Sequence, residues 1–238
     1  MRLEGKHVVV TGAGTGIGRA IAQRLAEEGA RLTLMARDES RLRDIVPGAV
    51  TKAVDIRDRD AVLAAFDEQL DGLVANAGIG GPNAPGEADR WEDIVETNLS
   101  GSYWCVRAAE PLLADGGRVV VTSSILARIG VAGYTAYCAS KAGLLGMVRA
   151  FAAELAPRGI QVNAVCPGWV NTDMAWQGLS EWPGLTPDEA WEIAKQDVPM
   201  RRMGEPEEIA GTVTWLLSPD ALGVTGQGID HNNGAWMI

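Results

Sequence analysis

A chain of 238 residues with 47% hydrophobic content and no Pro/Gly/Ser-rich divide is long enough for one large buried core, so a single domain over 1–238 is expected. The formal net charge of −10 argues against nucleic acid, whose phosphates need a clustered cationic surface, and no run approaches the roughly 18 uninterrupted apolar residues of a membrane span. Three scattered cysteines (Cys105, Cys138, Cys166), two histidines (His7, His231) and the opening Met1-Arg2-Leu3-Glu4-Gly5-Lys6 fit neither a disulfide framework, a metal site nor a secretion leader; the expectation is a soluble, cytoplasmic, metal-free protein.

Along the chain, short β-branched runs alternate with segments carrying apolar residues at three-to-four spacing, the pattern of a doubly wound parallel sheet with helices on both faces. The first strand, His7–Thr11, runs into Thr11-Gly12-Ala13-Gly14-Thr15-Gly16-Ile17-Gly18 and a helix over 17–29. Glycines at this junction permit a tight turn and let backbone amides approach an anion at the helix N-terminus, as a pyrophosphate requires. The spacing is G-x-x-x-G-x-G, and the loop closes on Gly18-Arg19-Ala20, without the Lys-Ser or Lys-Thr of a P-loop.

The second strand, Arg31–Ala36, ends where an acid would accept the ribose hydroxyls of NAD; here Ala36 is followed by Arg37, which favours a 2′-phosphate and hence NADP, with Asp38 able to neutralise it. A helix over 39–45 is expected, then a strand over 50–54, a helix over 58–70, a strand over 72–75, a long helix over 91–113 and a strand over 118–122 that delivers Ser124. A helix over 136–156 carries Tyr137 and Lys141, and a strand over 161–165 follows. An acidic stretch over 169–202 bearing Trp176, Trp182 and Trp191 then breaks the rhythm beyond a strand's carboxyl end, where open α/β sheets bind ligands, and reads as a substrate lid. A helix over 207–217 and a last strand over 227–231 complete about seven strands.

Tyr137 and Lys141 are four apart and share a helix face. A cation there favours the phenolate and is expected to lower the phenol from its usual value near ~10, making proton exchange with a carbonyl oxygen feasible. Ser124, at a strand mouth, is placed to hydrogen-bond the same oxygen.

Read in order, Thr11-Gly12-x-x-x-Gly16-x-Gly18, Asp55, Asn76-Ala77-Gly78, Asn98, Ser124, Tyr137-x-x-x-Lys141 and Pro167-Gly168 with Thr172 resemble the landmarks of the single-domain short-chain dehydrogenases/reductases over essentially the whole chain. The resemblance implies a Rossmann-type fold and hydride transfer between a nicotinamide dinucleotide, NADP(H) before NAD(H), and a small carbonyl or alcohol. It implies Tyr137 as acid/base, Lys141 as its modulator and a ribose ligand, Ser124 as orienter of the substrate oxygen, and Asn98 as helping to position a proton-relay water. Cofactor contacts would come from Gly12, Thr15, Gly16, Ile17, Gly18 and Arg37; from Asp55, Ile56, Asn76, Ala77 and Gly78; and from Pro167, Gly168, Val170 and Thr172.

The substrate wall is expected from Ile125, Leu126, Tyr134, Trp169, Met174 and Trp176, an apolar set suited to a hydrophobic ketone, aldehyde or alcohol; an arginine clamp for a carboxylate is not evident, although Arg128 or Arg201 could supply one. The resemblance also implies a homotetramer or homodimer paired through the helices at 91–113 and 136–156. Departures are Ala75 before Asn76, Asn233 before Gly234, His231 at a commonly apolar position, and Thr15 where some NADP-preferring members carry a basic residue. The rival readings are an NAD-dependent alcohol dehydrogenase, a nucleotide-binding redox sensor and a purely structural subunit; the last two have no need of Asn98, Ser124, Tyr137 and Lys141 together.

Overall fold

Seven strands, β1 (His7–Thr11), β2 (Arg31–Ala36), β3 (Val50–Ala53), β4 (Leu70–Ala75), β5 (Leu113–Thr122), β6 (Gln161–Pro167) and β7 (Gly228–His231), form one sheet in the order β3-β2-β1-β4-β5-β6-β7. All neighbours are parallel. The computed structural model describes residues 1–83, 85–86 and 89–237. Around the sheet lie α1 (Gly16–Glu27), α2 (Arg59–Ala65), α3 (Trp91–Val95), α4 (Gly101–Ala109), α5 (Thr135–Leu155), α6 (Asp173–Ser180), α7 (Pro187–Gln196) and α8 (Pro206–Leu217). Among the described residues no helix is long and apolar enough to cross a membrane.

Unbroken apolar strands follow from burial on both faces. Side chains alternate between faces, so Val9, Val119 and Val121 pack beneath α4 and α5 with Val106, Leu144 and Phe151. Val8, Val10 and Val120 pack on the other side with Ile21 and Leu25 of α1 and Ile209 and Val213 of α8. The order reverses between β1 and β4, so helices leave opposite faces there and a crevice opens at the strands' carboxyl ends. Asn76 fixes this edge: its backbone N–H donates to Thr11 Oγ1 (3.1 Å), its Nδ2 to the Thr11 and Gly12 carbonyls (both 3.2 Å), and its Oδ1 accepts from Thr122 Oγ1 (3.1 Å).

Several expected elements change. The helix at 39–45 is only a 3-10 turn over Glu39–Leu42, capped by Asp38. The 58–70 helix stops at Ala65 because Phe66 turns extended, which lets β4 begin at Leu70. The single helix at 91–113 is three pieces, α3, a π-turn over Glu96–Ser100, and α4, and the chain is a strand again from Leu113, paired with Leu70 across an irregular register.

The excursion at 169–202 folds into α6 and α7 around Leu179, Ala190, Ala194 and Met203. Its two roots meet: Val170 and Gly204 form an isolated parallel bridge, with Asn171 N–H donating to the Gly204 carbonyl and Gly204 N–H to that of Trp169, both at 2.9 Å.

Candidate active site

The crevice widens into a cleft of about 950 Å³. One end is built by the glycine loop. Gly12 has φ +65, and a Cβ there would stand 2.7 Å from the Ala77 backbone; a Cβ on Gly18 would stand 2.1 Å from the Gly12 carbonyl oxygen. These positions admit only glycine. Thr15 precedes α1 without capping it through its side chain, so the first-turn amides are left for an anion. Thr15, Gly16 and Ile17 line the cleft, as do Arg37, Asp55, Ile56, Asn76, Ala77 and Gly78. A cradle with no room for side chains, ending at uncapped amides, fits a dinucleotide's pyrophosphate.

Just beyond the end of β2, Asp38 is engaged within its own turn: it accepts from Ser40 N–H (3.0 Å) and Ser40 Oγ (2.6 Å). Among the described residues no carboxylate lies within salt-bridge distance of Arg37. Asp55 is clamped by Arg57, which donates from its backbone (3.0 Å) and its guanidinium (2.7 Å), and the carboxyl is held below its usual range.

Ser124, Tyr137 and Lys141 come together at the middle of the cleft, with Pro167, Gly168, Val170 and Thr172 on the facing wall. Ser124 Oγ accepts from Leu126 N–H (3.1 Å), which aims the hydroxyl from the end of β5. Lys141, 5% exposed, donates from Nζ to the Thr122 carbonyl (2.9 Å) and lies 5.5 Å from the centre of the Tyr137 ring. The expected lowering of the phenol does not occur: burial pushes Tyr137 up to about 12, with the Ser124 hydroxyl pulling the other way, and burial pushes Lys141 down to about 8. Desolvation is the largest cause of both shifts.

A stability test follows from Lys141. The folded state releases this proton near pH 8 and the unfolded chain near 10.5. Through that window the unfolded chain holds more protons, so stability at this position rises with pH, by about 3 kcal/mol in all. Urea titrations at about pH 7.5 and about pH 10 should show the rise in the wild type relative to Lys141→Met.

Asn98 is fully buried and absent from the cleft wall. Its Oδ1 accepts from Ile79 N–H (2.8 Å), and its Nδ2 donates to the Ile79 carbonyl (3.0 Å) and to Ser140 Oγ (3.2 Å). Ser140 Oγ in turn donates to the Tyr137 carbonyl (2.9 Å). The side-chain amide is therefore a strut between the strand-end loop and the turn carrying Tyr137.

Ile125, Leu126, Tyr134, Trp169 and Met174 all line the cleft. Met174 reaches across to Gly80, where a Cβ would meet its sulfur at 3.1 Å. Trp176 does not line the cleft: its ring stacks on Trp191 with centroids 4.1 Å apart, and its Nε1 donates to Asn171 Oδ1 (3.0 Å). Trp182 lines the cleft instead, with Ile129, Val131, Ala194 and Val198; apart from the tryptophan, none carried a signal in the sequence. Neither Arg128 nor Arg201 lines the cleft. Arg128 pairs with Asp230 (3.3 Å) and the Gly228 carbonyl (3.0 Å), and Arg201 donates to the Gln196 carbonyl. His231 stands outside the cleft, bonded through Nδ1 to Thr212 Oγ1 (2.7 Å).

Among known proteins, a family model described as enoyl-(acyl carrier protein) reductase matches residues 12–235. The chain is 37% identical over 252 residues to the 3-oxoacyl-(acyl-carrier-protein) reductase FabG of Vibrio cholerae, with 100% of both covered. It is 37% identical over 250 residues to the protein of that name from Staphylococcus aureus, with 98% of both covered. Levodione reductase superposes with a TM-score of 0.92 at 32% identity over 98% of each chain. The ligand-free aldohexose dehydrogenase of Thermoplasma acidophilum does so with a TM-score of 0.89 at 29% identity, covering 98% of this chain and 94% of that one.

Proposed function

We propose, since this chain belongs to the short-chain dehydrogenase/reductase family, that it is an NADP(H)-preferring oxidoreductase interconverting a hydrophobic ketone or aldehyde and its alcohol. The observation that carries the reading is the meeting of Ser124, Tyr137 and Lys141 in the cleft that the glycine loop enters. A nicotinamide dinucleotide bound there supplies or accepts the hydride. Ser124 Oγ–H orients the substrate oxygen, and Tyr137 passes a proton to that oxygen in reduction and takes it back in oxidation. Lys141 holds cationic character beneath the phenol, and Asn98 positions the helix turn that presents it. The glycine loop would hold the pyrophosphate, Asp55 and Asn76 would border the adenosine, and Pro167 through Thr172 would face the nicotinamide.

A phenol pushed up to about 12 is protonated at neutral pH, the state that carbonyl reduction uses. Oxidation, which needs the phenolate, should climb as pH rises toward that value.

The relatives' names favour a second reading, reduction of a 3-oxoacyl thioester. Among the described cleft residues, the only lysines and arginines are Arg37 and Arg41 at the adenosine end and Lys141 beside Tyr137. That lining suits a neutral apolar carbonyl, and a 3-oxoacyl group is neutral too, so the two readings part only in which carbonyl is turned over. Purified protein assayed for NADPH oxidation with cyclic and aromatic ketones beside a 3-oxoacyl thioester tests this. Turnover confined to the thioester selects the second reading; tight nucleotide binding with no turnover on any carbonyl points to a sensor.

The excursion at 169–202 serves as a substrate lid in this reading, and subunits pair through α4 and α5, where Trp104 and Met147 remain partly exposed. A monomer in light scattering would remove the pairing.

A further inference from the structure

We propose that Arg41 is a second specificity-determining residue for the cofactor, gripping the 2′-phosphate of a phosphorylated dinucleotide together with Arg37. The inference rests on the NADP reading and deepens it. The turn over Glu39–Leu42 brings Arg41 back over the glycine loop. A Cβ built on Gly14 would meet Arg41 Cβ at 3.0 Å and its carbonyl oxygen at 3.6 Å, so the arginine's backbone lies directly against the phosphate cradle. Arg37, Asp38 and Arg41 all line this end of the cleft.

The charges there do not cancel. Asp38 caps its own turn through Ser40 and keeps only a loose contact to Arg41, 3.7 Å between Nε and Oδ2. Two exposed guanidiniums thus face one carboxylate that is already engaged, in a chain whose net charge is −10. A ribose hydroxyl has no use for a net cationic corner. A 2′-phosphate brings up to two negative charges and three acceptor oxygens, which two planar forks can share.

Titration of wild type, Arg41→Ala and Arg41→Lys with NADPH and with NADH, followed by nicotinamide fluorescence at low and high salt, tests the assignment. Arg41→Ala should weaken NADPH by roughly ten-fold at low salt and less at high salt, leave NADH within about two-fold, and be partly restored by lysine. Equal weakening of both nucleotides makes Arg41 a prop of the glycine loop and overturns the proposal. So does an unchanged NADPH preference in Arg41→Ala, with the NADP reading left standing. A wild type that binds NADPH no better than NADH removes that reading, and this inference with it.

Discussion

Tyr137→Phe is expected to lower carbonyl turnover by about a thousand-fold while leaving dinucleotide affinity within about two-fold. Phenylalanine keeps the ring against Gly80, where a Cβ would stand 4.0 Å from Tyr137 Cε2, and removes only the oxygen. The carbonyl then lacks its proton donor, and Ser124, whose Oγ also accepts from Leu126, is a poor substitute because a serine hydroxyl does not release its proton readily. The loss should fall on kcat rather than on KM, since the proton moves only in the transition state. Stopped-flow with a responsive ketone separates hydride transfer from product release. Equal rates in wild type and variant would exclude Tyr137 as the acid.

Gly18→Ala should be the most damaging conservative change outside the reacting groups. The added methyl meets the Gly12 carbonyl oxygen at 2.1 Å and Asn76 Nδ2 at 2.5 Å. The first is backbone, and the second is the amide tying β1 to β4, so neither yields cheaply. Overpacking of this kind costs about 1–3 kcal/mol, equivalent to a fall in Tm of about 3–10 °C at this size. NADPH affinity should drop by more than about ten-fold, because the amides of the cradle move with the loop. Gly146→Ala is the control. It lies within α5, where an added methyl would come no nearer than 3.9 Å to the Arg149 side chain, and should be neutral or stabilising by up to about 1 kcal/mol. Calorimetry and fluorescence titration on the pair would decide it, and a Gly18→Ala protein with wild-type Tm and affinity would contradict the geometry.

The sheet and most of the cleft are legible in the sequence because their causes are local. Three consecutive valines in β5 announce a strand buried on both faces, glycines announce a turn without side chains, and a Tyr–Lys pair four apart announces a shared helix face. What stays hidden depends on distant partners. The π-turn around Asn98 leaves the apolar spacing of α3 and α4 nearly continuous, so the spacing reads as one helix. Ala114-Asp115-Gly116-Gly117 carries no strand pattern, yet β5 begins before it: Leu113 pairs with Leu70, and the register resumes at Arg118 opposite Gly72. Trp176 and Trp182 look equivalent in the sequence, and only the packing of α6 on α7 turns one toward its neighbour and the other into the cleft. The direction of the Tyr137 shift is hidden for the same reason: spacing reveals a nearby cation but not how completely both groups are withdrawn from water.

The paired roots of the excursion have a consequence for how this scaffold diversifies. Since Val170 and Gly204 are joined and α6 and α7 share their own small apolar centre, the segment is a cassette, mechanically bounded and replaceable. On the proposed reading, transplanting a different hairpin beyond Thr172, whose side chain packs against Gly16 of the glycine loop, would change what the cleft accepts while the sheet and that loop keep their places.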